Sequence, residues 1–467
     1  MQQQSMKVVV FGAGLVGEAV GRHIAEQGHG VCFIESNINT VRKIREQMDV
    51  QIVHGAAEDQ DVLREARVQE ADLILAVTNQ DKSNIILTLI ARSINPGARI
   101  VTRVKDDEFL NNHQLWQSRD LNDTLIISPE RAVIGKAINI LEVQHAFDLV
   151  EFLQGAVRIA CFCLGDDNNI LVGKPLREAS RLFPSEHILV VGAQRGSEVF
   201  IPTGETILQK GDRICITLPK GIALPVILPL LGKAFCRKQK FVIVGGSAIG
   251  VNIARQLEKQ GRDVVLVEAD YDRCLSLTEM LKSTVILHGD VTDAALLSRT
   301  ITPETVFLAL TGSQEVNFFI SLLARKRGAM QVVSMMDNEA YFTLAPELGV
   351  DAILSPRSSA VGSILRFSSM GRVLDADVLL GGKLNIFLVE VEEGSRLDGP
   401  PLKDISFPKG MIVAASVCDR KVVVPHGNLC LKKGDQAVLV MQRGKAQHLD
   451  RLIANPRQSR AFFPKMP

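Results

Sequence analysis

The sequence lacks a charge surplus of either sign: its formal net charge is +1, with lysine and arginine spread along all 467 residues. No electrostatic footprint for DNA or RNA is present, so nucleic acid is not an expected partner. A long hydrophobic run is also missing. The most apolar stretch, Gly221 to Gly232, falls well short of the about 20 residues a spanning helix needs and contains Pro225 and Pro229. The start, MQQQSMKVVVFG, has no charged region followed by a long apolar segment and a small-residue cleavage site. The chain is expected to stay inside the cell and to meet a membrane only through a partner. Aromatic residues make up only 5%, but hydrophobic residues reach 46% and charged residues 22%, the balance of a soluble globular protein. The eight cysteines lie far apart except Cys161 and Cys163. These two alternate with apolar residues in a strand-like run and lack zinc or redox spacing, so they are expected to be reduced core residues. Neither HExxH nor GxSxG occurs, and the nine histidines are scattered.

What the chain does contain is a repeat. A chain of this length exceeds one hydrophobic core, and two to four domains are expected. The strand-like run Lys7 to Phe11 leads into Gly12-Ala13-Gly14-Leu15-Val16-Gly17, a helical stretch, and an apolar strand ending in Glu35. The same events recur from Phe241 through Gly245-Gly246-Ser247-Ala248-Ile249-Gly250 to Glu268. Gly12 and Gly245, like Glu35 and Glu268, are 233 residues apart. The match continues through His54-Gly55 and His288-Gly289, and through AVTNQDKSN from Ala76 and ALTGSQEVN from Ala309. SPERAVIG from Ser128 answers SPRSSAVG from Ser355, each opening a helix. Both copies then turn β-rich, each with a Lys-Gly-Asp turn, at Lys210 and Lys433, before its last strand. The expected architecture is α/β, with Rossmann-like domains at 6–143 and 240–370, small β-rich companions at 146–219 and 383–453, and a linker at 220–239.

A glycine fingerprint that follows a strand, opens a helix and precedes an acid on the next strand reads as a dinucleotide-type site. Gly12 permits the tight turn, Gly14 the approach of a pyrophosphate, and Gly17 close helix packing. The helix N-terminus, with Ala13, Leu15 and Val16 in the same loop, offers amides to the phosphates. Glu35 is placed to accept from ribose hydroxyls and to repel a 2′-phosphate, favouring NAD(H) over NADP and leaving ATP and ADP compatible. Thr78 and Asn79 end another apolar strand at the same crevice, with ordinary turn formation as the competing reading. Arg103 ends a further strand within reach of a phosphate. In the second copy Gly245, Gly250 and Glu268 are kept and Asp290 is added, but Ser247 replaces the middle glycine and Met335 and Met336 stand in the neighbourhood of Arg103.

Together these motifs resemble the TrkA family, with paired RCK (or KTN) nucleotide-binding domains and TrkA-C domains. The resemblance is carried by VVVFGAGLVG with Glu35, AVTNQDKSN, the VTRV segment, VIVGGSAIG with Glu268, HGD at His288 to Asp290, and the paired KGD turns, and it spans nearly the whole chain. It implies nucleotide contacts at Gly12, Gly14, Gly17, Glu35, Thr78 and Arg103, and at Gly245, Gly250, Glu268 and Asp290. It further implies a non-enzymatic, cytoplasmic ring, a homotetramer that responds to NAD(H), ATP or ADP. Such a ring docks on an integral-membrane potassium-translocating Trk subunit. Two rival readings share the fingerprint: an NAD-dependent dehydrogenase, which would need a positioned acid or base beside the nicotinamide, and a scaffold whose sites have decayed.

Overall fold

The structure is a computed structural model that describes residues 5–118, 120–122, 124–165, 170–183, 188–219, 224–368, 373–418, 421–445 and 449–453. Linker residues 220–223 and the end of the second Rossmann-like span, residues 369–370, lie outside the described residues. Six parallel strands open the chain: β1 (Lys7–Phe11), β2 (Gly30–Glu35), β3 (Gln51–His54), β4 (Leu73–Ala76), β5 (Arg99–Arg103) and β6 (Thr124–Ile127). They lie in the order β3-β2-β1-β4-β5-β6. The runs VVVF, VCFI and LILA in β1, β2 and β4 are buried throughout, as strands of a parallel sheet covered on both faces should be. Around them lie α1 (Leu15–Glu26), α2 (Ile38–Gln47), started by the Asn37 side chain accepting from the Asn39 and Thr40 amides, and α3 (Asp81–Ile94).

Next comes α4 (Pro129–Glu142), followed by an antiparallel sheet of β7 (Asp148–Phe152), β8 (Val157–Cys163), β9 (Val190–Arg195), β10 (Glu198–Phe200) and β11 (Arg213–Pro219). The linker contains a short helix, α5 (Leu224–Leu230). The later part of the linker is tied down: Gln144 exchanges two hydrogen bonds with the Cys236 backbone, and His145 bonds the Ala234 carbonyl at 2.8 Å.

The second copy repeats the plan. Its parallel strands are β12 (Lys240–Val244), β13 (Asp263–Glu268), β14 (Val285–His288), β15 (Thr305–Ala309), β16 (Gln331–Met335) and β17 (Ala352–Leu354), in the order β14-β13-β12-β15-β16-β17. Its helices include α6 (Ala248–Lys259), α7 (Tyr271–Met280), α8 (Gln314–Lys326) and α9 (Pro356–Ser368). A second antiparallel sheet holds β18 (Val373–Leu379), β19 (Leu384–Glu390), β20 (Met411–Cys418), β21 (Lys421–Val423) and β22 (Gln436–Gln442). It is ordered β18-β19-β22-β20-β21, the same sequence of neighbours as in the first.

The chain divides into two compact units that cut across the repeat. One holds residues 1–132 with 356–371, and the other holds 133–355 with 372–467. In the first unit, Ala360 and Ile364 of α9 are buried in the core with Val16, Val20 and Ile24 of α1. In the second, Val133, Ala137, Ile140 and Leu141 of α4 join the core that contains Ile249, Ile253 and Leu257 of α6. The first parallel sheet is thus covered in part by a helix that follows the second one. Within the second unit, buried Asp148 lies 2.6 Å from Lys136 of α4 and accepts the Leu380 N–H at 2.8 Å, tying α4 and both antiparallel sheets together.

One expectation is corrected. Cys161 and Cys215 form a disulfide, and Cys163 remains free. Spacing along the chain could not reveal it, because the register places Cys161 of β8 directly opposite Cys215 of β11, 54 residues later. Among the described residues no helix is long and apolar enough to cross a membrane.

Candidate nucleotide sites

Strand order reverses between β1 and β4, and open parallel sheets bind ligands outside the carboxyl ends of their strands at such a point. Gly12 leaves β1 at φ +91°, a conformation that side-chain-bearing residues avoid. A Cβ on Gly17 would lie 1.9 Å from the Gly12 carbonyl oxygen, so only glycine fits there. Gly14 is different: a Cβ added to it meets nothing within 4 Å, and open space lies beside the turn. Gly14 is also the N-cap of α1, and no side chain caps that helix among the described residues. The leading amides, following buried Ala13 and belonging to exposed Leu15, buried Val16 and Gly17, form an anion-favouring terminus.

The acid fixes this loop. Glu35 accepts from the Ala13 N–H through Oε2 and from the Asn37 N–H through Oε1, each at 2.8 Å. A carboxylate has about four acceptor sites, so capacity for ribose hydroxyls remains. Opposite, the Thr78 N–H and hydroxyl both donate to Asn84 Oδ1, at 2.8 and 2.7 Å. The Asn84 amide donates in turn to the carbonyls of Thr78 and Arg103, at 3.1 and 3.0 Å. This fully buried asparagine, which stitches β4 to β5, was not singled out from the sequence, although the signal was present: both copies keep threonine and asparagine six residues apart. Thr311, Asn317 and the Met335 carbonyl reproduce the same bonds. Lys105 was also missed; its Nζ donates to the Asn79 carbonyl at 2.9 Å, placing a cation beside the crevice.

Arg103 is engaged. Its Nη2 donates to Glu130 Oε1, in the first turn of α4, at 2.8 Å, with the two side chains only 15% and 27% exposed. Arg103 Nε and Glu130 Oε2 are buried and meet no hydrogen-bond partner among the described residues. A second charged group lies on α1, where Glu18 is buried and contacted by Arg22 at 3.0 Å, Lys43 at 2.7 Å and Arg357 of α9 at 4.0 Å. Burial pushes the Glu18 carboxyl up, but the hydrogen bonds of Lys43 and Arg22 and the charges of Lys43 and Arg357 outweigh it and hold the pKa below the ordinary value.

In the second copy Gly245 has φ +105°, and a Cβ on Gly250 would lie 2.2 Å from the Gly245 carbonyl oxygen. Glu268 repeats the bracing, taking the Gly246 N–H at 2.6 Å and those of Ala269 and Asp270 at 2.7 and 3.0 Å. The Ser247 hydroxyl caps α6 by accepting the Gly250 N–H at 3.3 Å and donates to the Leu310 carbonyl. Arg273 of α7 donates from Nε and Nη2 to the Gly246 carbonyl at 2.9 and 2.8 Å, a cation at the loop that the first copy lacks. Exposed Asp290 receives the N–H and hydroxyl of Thr292, which hold its carboxyl below the usual aspartate range. His54 and His288 each bond a loop carbonyl, of Ser36 and Ala269, at 3.1 Å.

Residues 8–121 and 241–356 match the TrkA-N domain, and residues 166–223 and 386–454 match the TrkA-C domain. The chain is 29% identical over 455 residues to the Trk system potassium uptake protein TrkA of Halomonas elongata, covering 96% of this chain and 98% of that one. It is likewise 29% identical to the protein of that name from Azorhizobium caulinodans, covering 98% and 100%. Among solved structures, the GsuK RCK domain superposes with a TM-score of 0.58 at 18% identity, covering 97% of this chain and 96% of that one. The GsuK channel bound to NAD has the same TM-score and identity, covering 97% and 80%. With both domain types matched twice, in alternation and over most of its length, the chain belongs to the TrkA family.

Proposed function

We propose that the protein is a nucleotide-sensing, non-enzymatic regulatory subunit of a Trk-type potassium uptake system. The observation that carries the reading is the start of α1: an uncapped helix terminus beside the open space at Gly14, framed by Glu35. Such a terminus holds phosphate through backbone amides and the helix dipole, without a side-chain cation. NAD(H), ATP and ADP share the adenosine diphosphate portion this geometry suits.

Sensing, not turnover, is favoured by how the nearby polar groups are engaged. The matched histidines bind loop carbonyls, and the acids brace the loops, which leaves them poorly placed as proton carriers for a hydride transfer. The names of the full-length relatives favour potassium uptake as the process regulated. In this reading the chain works as a homotetramer on the cytoplasmic face of the membrane, held there by an integral-membrane potassium-translocating subunit. A nucleotide can shift that assembly only by binding its two states differently. Exit helix α4, whose first turn carries Glu130, is the element a bound phosphate would bias, through Arg103.

The test is titration of the purified chain with NADH, NADPH, ATP and ADP, followed by melting temperature and by NADH absorbance. Stabilisation that grows with ligand concentration and no loss of NADH supports the sensor. Substrate-dependent NADH consumption would establish the dehydrogenase instead, and the absence of any thermal shift would establish a scaffold with decayed sites.

A further inference from the structure

The two sites differ in how they meet phosphate. In the first, α1 begins uncapped and Arg103 and Lys105 stand at the crevice. In the second, the Ser247 hydroxyl takes one leading amide of α6, and Met335 stands where the first copy has Arg103, with its carbonyl on Asn317 as that of Arg103 is on Asn84. The second site has one cation at its loop, Arg273, with Nε and Nη2 committed to the Gly246 carbonyl, and is correspondingly less equipped to count phosphates.

It is better equipped for a base. A nucleotide with phosphates at the start of α6 and ribose at Glu268 extends its base outward, over the ends of β13 and β14, because β14 is the neighbour on that side. Two rings frame that position. Tyr271, the first residue of α7, meets His288, the last residue of β14, edge to face at 5.5 Å with planes at 81°. His288 is itself held by the Ala269 carbonyl. Tyr271 is 60% exposed, and its counterpart in the first copy, Ile38, is 43% exposed. Both copies therefore leave a large apolar side chain uncovered just past the acid, and only the second makes it aromatic.

We propose that Tyr271 stacks on the nucleobase and that the second site recognises its nucleotide chiefly through an adenine base, whereas the first reads phosphate. This rests on the nucleotide-binding reading given above. Tyr271 selects for a flat purine and Arg273 neutralises the phosphates next to the loop. Discrimination between ATP and ADP belongs to the first site.

The experiment uses the full chain carrying Trp116→Phe and Tyr271→Trp, which moves the chain's single tryptophan to the proposed base site. ATP and ADP are expected to quench its fluorescence saturably, and inorganic triphosphate to leave it unchanged. In calorimetry on the otherwise unaltered chain, Tyr271→Ala is expected to weaken one of two binding events by roughly ten- to a hundredfold, for ATP and ADP alike, the range a lost base stack produces. Tyr271→Phe is expected to stay within about twofold, since the ring is kept. Two unchanged events in Tyr271→Ala, or nucleotide binding with no quenching of the new indole, would overturn the inference and leave the first site standing. Failure of the unaltered chain to bind any adenine nucleotide would overturn both.

Discussion

Arg103 and Glu130 form an ion pair of 2.8 Å in which each partner keeps one buried polar atom without a hydrogen bond among the described residues. A half-satisfied pair of this kind is open to exchange, because a phosphate offers the guanidinium a second set of acceptors. Arg103→Ala is expected to erase the difference in affinity between ATP and ADP. Glu130→Gln, which removes the competing anion, is expected to tighten ATP binding by roughly three- to tenfold, a change of about 1 kcal/mol. Calorimetry with both nucleotides measures this, and an unchanged ATP to ADP ratio in Arg103→Ala would rule Arg103 out as the reader.

The open space at Gly14 and the closed one at Gly17 separate binding from folding. Gly14→Ala is expected to keep stability within about 1 kcal/mol, the scale of an N-cap change, while abolishing the nucleotide-induced thermal shift of the first site. Gly17→Ala, whose Cβ would overlap the Gly12 carbonyl, is expected to lose binding and also about 1–3 kcal/mol of stability. Equal melting temperatures for the two apo variants would count against this geometry.

Glu18 makes stability depend on acid. Its pKa in the folded chain is lowered, so its contribution is complete above the ordinary glutamate value of about 4.3 and is lost as pH falls through the lowered folded value. Glu18→Gln is expected to cost about 2 kcal/mol at neutral pH. That is less than the ~3–5 kcal/mol for a fully buried pair, because Arg22 and Lys43 reach solvent. The cost should shrink below pH 4, and urea midpoints of both proteins between pH 3 and 7 would reveal a constant gap if the carboxylate contributes nothing.

The disulfide yields a count. Denatured without reductant, the chain should accept six alkyl groups, and with reductant eight, matching six free cysteines and one bridge. Reduction should lower stability by roughly 2–4 kcal/mol, as for a cross-link closing a loop of several tens of residues. Eight alkylations without reductant would show the pair to be open in solution.

Much of this molecule could be read from local order in the sequence. Gly12, Gly17 and Glu35 act on neighbours within about one strand and one helix, so their spacing carries their roles, and the second copy at the same offset supports the assignment. Other features depend on the register or packing of distant segments. Arg103 is visible as a cation at a strand end, but its partner Glu130 lies 27 residues on, across a turn into a helix. The Cys161 bridge follows from which strand neighbours which. Asn84 lies between these cases: the spacing it shares with Asn317 is plain, whereas its role emerges only once β4 and β5 are side by side. The seating of α9 beside α1 has no local signature at all, since an apolar helix face does not say which sheet it will cover.

The seating of α9 against α1 bears on how the chain tolerates being cut. Residues 1–219 made alone would lack Ala360 and Ile364 from a hydrophobic core they help to fill, leaving an oily groove along α1. A truncated product of that kind would be driven to cover the groove with some other apolar helix, such as α4 of a sister molecule. Carrying both copies on one polypeptide makes the supply of α9 intramolecular and so independent of concentration.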